Sequence, residues 1–142
     1  MDFELHTLSD ELLFVRWLHH PAPVSENAFL SLLEMLLDET CVPVYLITDA
    51  HEGVLTSPRA LRYMSELSRH KHFGGAVTYG QTGAAGARFD VFRHMAASGY
   101  RDSMVRTIDE ALDHLEALKP GVTSDIEREV LELLYGYACV GG

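Results

Sequence analysis

The chain has 142 residues, 47% of them apolar and 23% charged, with a formal net charge of −10. That is the size and composition of one domain able to bury its own core, and its apolar runs fall well short of the roughly 20 residues a membrane helix needs. The acidic balance, relieved only by scattered Arg88, Arg93, Arg101 and Arg106, argues against nucleic acid as a partner, while two lone cysteines (Cys41, Cys139) and no leader pattern after Met1 predict a cytoplasmic protein.

Phe3, Leu5 and Thr7 alternate with Asp2, Glu4 and His6, and the turn-prone Ser9-Asp10 leads into the apolar stretch Glu11–Leu18. The pattern predicts a hairpin with a half-exposed first strand and a more buried second. His19-His20-Pro21-Ala22-Pro23 ends it, and Ser25 is placed to cap a helix bearing Phe29, Leu32, Leu33 and Leu36 that runs to about Thr40. Val44-Tyr45-Leu46-Ile47 is too short for a buried helix and apolar on both alternating faces, so it reads as a central strand covered on both sides.

Ser57 suits a helix N-cap and Pro58 the first helical position, opening a helix with Leu61, Met64 and Leu67 on one face that stops near His70. Phe73–Tyr79 is the next strand. Residues 80–86 form a glycine-bearing loop, a helix carries Phe89, Phe92, Met95 and Ala96, and Ser103–Arg106 is a short strand. Thr107 and Glu110 have capping-box spacing ahead of a helix with Ile108, Ala111, Leu112 and Leu115 inward, and Lys119-Pro120-Gly121 ends it. Ser124 and Glu127 open a final helix with an apolar stripe of Ile126, Val130, Leu133, Leu134 and Tyr137. The order ββαβαβαβα plus one helix predicts an α/β domain: a mixed, mostly parallel sheet with an N-terminal hairpin, packed helices and an extra C-terminal helix.

The carboxyl end of the central strand is where α/β folds keep their chemistry, and Asp49, His51, Glu52, Thr56 and Ser57 all fall there. Asp49, His51 and Glu52 could share a proton or a cation, but nothing supplies a third ligand; loops are rich in such residues. His70 and His72 have metal-like spacing, yet they lie at the opposite end of the sheet, and His70 is explained by a helix C-terminus. No metal or other cofactor is expected. Gly80, Gly83 and Gly86 follow a strand and precede a helix, a weak anion-binding pattern that lacks both the P-loop and dinucleotide fingerprints. Neither cysteine has a base to activate it, so no enzyme chemistry is expected.

Written out in this order, residues 2–118 resemble a STAS domain, the fold of bacterial anti-sigma-factor antagonists. The family's Asp-Ser-Ser/Thr-Gly motif at the helix after the central strand corresponds here to Leu55-Thr56-Ser57-Pro58, with the hydroxyls aligned and the Asp and Gly replaced. The resemblance implies a non-enzymatic protein-interaction module of bacterial signalling with Ser57 and Thr56 as phosphoacceptors. It implies a surface of Asp49, His51, Glu52, Arg59 and Arg62, and a partner such as a kinase-like anti-sigma factor. The competing reading is a small-molecule domain holding an anion or nucleotide between the Gly80–Gly86 loop and the neighbouring Ala50–Val54 loop. Residues 119–142 are a linker and a helix outside the ordinary STAS pattern, and the helix is expected to mediate a homodimer.

Overall fold

The computed structural model describes residues 2–55, 57–80 and 102–124, together with residues 126 and 132. Five strands form one sheet in the order β1 (Phe3–Ser9), β2 (Leu12–Trp17), β3 (Val44–Asp49), β4 (Phe73–Tyr79), β5 (Asp102–Val105). β1 and β2 pair antiparallel, and every later pair is parallel. Three helices are described: α1 (Pro23–Glu39), α2 (Pro58–Leu67) and α3 (Ile108–Leu118). The expected helices around Phe89–Ala96 and beyond Ser124 fall outside the described residues, apart from Ile126 and Glu132.

Strand periodicity divides the core in two. Leu13, Val15, Trp17, Val44, Leu46 and Ala76 point to the face covered by α1 and α2. Leu12, Phe14, Tyr45, Ile47, Val77 and Tyr79 point to the other, under α3. Both faces are buried, so β2 and β3 carry no polar alternation, as parallel strands between two helical layers require. Phe3, Trp17 and Phe29 close one end of the first layer as a three-ring cluster with centroids 5.3–5.6 Å apart.

The helix starts follow from their caps. Ser57 accepts the Ala60 N–H at 3.1 Å, and Thr107 accepts that of Glu110 at 3.2 Å, both as expected. Ser25 does not cap α1. The helix begins three residues earlier than a Ser25 cap implies, with Ala22 at the N-cap and Pro23 at the first helical position, where its missing N–H and fixed φ cost nothing. A bond from the residue before β1 holds the helix start instead: Asp2 Oδ2 accepts the Ala22 N–H at 3.0 Å. A hydrogen bond from Ser25, then the one from Ala22, holds the Asp2 carboxyl below its ordinary pKa.

After α3 the chain turns back onto the domain. Glu116 accepts hydrogen bonds from the Gly121 N–H at 2.7 Å, from the Thr123 N–H and from the Thr123 hydroxyl, while Lys119 pairs with Glu11. Val122 and Ile126 are buried in the α3-side core.

Candidate functional site

In a sheet of this order α1 and α2 both begin at the carboxyl end of the parallel strands, so the β2–α1 and β3–α2 junctions share one end of the molecule. Asp49 closes β3 opposite Arg16 of β2. Its exposure is 1%, so it is not part of the surface on which the sequence places it. One carboxylate oxygen lies 2.8 Å from Arg16 Nε; the other accepts the His51 N–H at 3.0 Å and lies 2.7 Å from His51 Nδ1. Asp49 therefore braces the loop to the strand.

Two close approaches hold that loop in place. A Cβ at Gly53 would lie 2.2 Å from the His19 carbonyl oxygen, so the loop packs backbone to backbone against the β2–α1 junction. Gly80 has φ +100, and a Cβ there would come within 2.8 Å of His51 Nδ1. Gly80 thus has a packing reason to be glycine that owes nothing to an anion. Gly83 and Gly86 lie outside the described residues. Tyr79 stacks edge-on to His51, and its buried hydroxyl makes no well-formed hydrogen bond among the described residues. Burial, then the nearby Asp49 carboxylate, raises the phenol pKa above its ordinary value, with Arg16 opposing.

Of the other expected surface residues, His51, Glu52, Arg59 and Arg62 are exposed and Ser57 is half-buried; Thr56 lies outside the described residues. His70 and His72 do remain apart from Asp49 and His51, but they brace α1 rather than respond to the α2 terminus. His70 Nε2 lies 2.8 Å from Asp38 Oδ1, and His72 Nδ1 lies 3.1 Å from the Leu37 carbonyl. Among the described residues no three potential ligands converge as a metal site would need.

A groove of about 280 Å³ opens between the first turns of α1 and α2, lined among others by Val24, Glu26, Leu30, Ser57, Arg59 and Tyr63. Deeper between the helices the Tyr63 hydroxyl donates to Glu34 at 2.6 Å, a bond that is the main cause of its raised pKa. Glu26 is only 4% exposed.

Arg16 and Glu26 are the two residues that reading the sequence misses. Arg16 left a signal: a lone charge inside Leu12-Leu13-Phe14-Val15-Arg16-Trp17 is seldom buried without a partner. Glu26 left none, because an acidic residue in a first helical turn is ordinary.

The fold is similar to that of a solved protein, the anti-sigma factor antagonist SpoIIAA in its unphosphorylated form, with a TM-score of 0.57. The match covers 81% of this chain and 96% of that one at 13% sequence identity. The fold is STAS-like. No family model matches the chain, and no curated protein matches it by sequence. The STAS-like likeness is thus carried by topology rather than by sequence. The hairpin, the central strand and the Ser57 helix start keep their expected places in it.

Proposed function

We propose that this chain is a non-enzymatic regulatory module that acts by binding another protein, with Ser57 as its switch and His51, Glu52, Arg59 and Arg62 as surrounding contacts. The observation that carries the reading is the setting of Ser57. It is half-exposed at the first turn of α2, held by one capping bond, on the wall of the groove beside α1. A phosphate there meets the helix N-terminus, whose N–H groups and dipole favour it, and puts up to two negative charges where a partner would dock. Thr56 is the second acceptor in this reading.

The likeness to an anti-sigma factor antagonist supports a kinase-like anti-sigma factor as the partner. The use of Asp49 as a brace supports a binding role over catalysis, since both of its oxygens are engaged by its own fold. Partner capture from the native host, followed by titration of the purified partner, tests the switch. Ser57→Asp should weaken binding by about tenfold or more, the scale on which a misplaced charge acts at an interface, while Ser57→Ala binds as the unmodified chain does. Equal binding by all three proteins would remove the switch and leave a constitutive interface.

The reading includes a homodimer through residues 119–142. Deletion after Ile126, which leaves the buried Val122 and Ile126 in place, should convert a dimer into a folded monomer. A full-length chain that is already monomeric in solution rejects that part alone.

A further inference from the structure

We propose that the groove between α1 and α2 receives an arginine side chain of the protein partner, with the Glu26 carboxylate as its anchor. The assignment rests on reading the chain as an interaction module, and it names the chemistry that the partner brings.

Glu26 is 4% exposed yet lines an open groove. Its carboxylate has no hydrogen bond or ion pair among the described residues. Arg59, the cation on the groove wall, is exposed and forms no ion pair with it. Neither oxygen counts among the buried unpartnered atoms, so the carboxylate opens to the groove with no counter-charge beside it, and an incoming cation can reach it there. The rest of the lining suits a long side chain with a flat charged end. The exposed Val24 offers apolar surface to an aliphatic stem, and Tyr63 lines the same groove as an aromatic neighbour for a guanidinium. Arginine fits better than lysine because its planar fork can engage both carboxylate oxygens and is more weakly hydrated. The net charge of −10 favours a basic partner at longer range. Ser57 lines the same groove, so the proposed switch and the proposed anchor share one cavity.

The test uses the full chain and a defined probe, N-acetyl-arginine methylamide, with the citrulline analogue as its uncharged isostere, read by amide chemical shifts. Saturable shifts confined to residues 23–30 and 57–63 are expected with the arginine probe, with binding weakened about tenfold for citrulline and for Glu26→Gln. Glu26→Asp, which keeps the charge on a shorter stem, should preserve the preference for arginine over citrulline, and it serves if Glu26→Gln does not fold. Equal response to the two probes, no saturable response, or undiminished binding by Glu26→Gln would overturn the proposal. So would binding that appears only in Arg59→Gln, which would mean that the chain's own arginine fills the groove. These outcomes are independent of the Ser57→Asp titration: the probe reads the anchor, and the partner titration reads the switch.

Discussion

Asp49 and Glu26 are both buried carboxylates at the carboxyl end of the sheet, and the fold treats them in opposite ways. Asp49 is enclosed by Arg16 on one oxygen and by the backbone and ring of His51 on the other. Glu26 faces a groove with no counter-charge from the described residues. A charge satisfied from within belongs to the architecture: it ties a strand, a loop and a neighbouring strand into one unit. A charge left unsatisfied at an opening is available to something outside. The difference separates the part of this surface that holds its shape from the part that can meet a partner.

The largest expected effect comes from breaking the satisfied pair. Arg16→Met leaves Asp49 charged and buried and should cost about 3–5 kcal/mol of stability. Glu26→Gln loses no internal bond and should stay within about 1 kcal/mol of the parent. Denaturant midpoints measure both, and similar losses for the two variants would erase the distinction.

A second comparison sets two glycines of positive φ side by side. Gly80→Ala meets both an unfavourable φ of +100 and the His51 ring, and should cost about 1–3 kcal/mol while displacing the His51 ring resonances. Gly121→Ala, at φ +90 with nothing within 4 Å, bears the backbone cost alone, about 1 kcal/mol. Equal losses would show that the loop yields to the added methyl and that His51 is not firmly held.

Ser57→Ala should cost about 1 kcal/mol through loss of the α2 cap. The test is whether the loss stays local, with amide exchange rising at Ala60 and not at His51. A rise at both would mean that the switch position and the Asp49 brace form one unit.

The smallest effects are local and depend on pH. Asp2 and Glu116 have depressed pKa values, so their contribution is present above the ordinary carboxylate range and is lost as pH falls through their folded pKa. On acidification the amides of Ala22, Gly121 and Thr123 should lose exchange protection before the central strands do. Tyr79 has the opposite sign: its raised pKa adds stability below the ordinary phenol value of about 10 that is lost as pH rises beyond it. Its phenolate absorbance should therefore appear only with alkaline unfolding. Ordinary titration of Tyr79 in the folded protein would contradict its burial against Asp49.

Hydrophobic pattern and segment length together determined the hairpin, the central strand and the Phe73–Tyr79 strand, and a capping box with an apolar face determined the helix following Thr107. Local chemistry also placed Ser57 and Pro58 at the start of α2, since a cap needs only its own first turn. The start of α1 was illegible in the sequence. The carboxylate that holds it, Asp2, lies 20 residues away along the chain and comes within reach only when β1 and β2 pair. The tertiary structure likewise decided that Asp49 is buried and Glu26 is left facing a groove, although both look like ordinary polar residues beside an apolar run. Whether a carboxylate is braced or available depends on what distant segments bring to it: Arg16 arrives beside Asp49 through parallel pairing of strands 33 residues apart, and no such partner arrives beside Glu26 from the described residues. Sequence pattern reports which side chains must leave water, and only the assembled sheet and helices decide which charges leave with them.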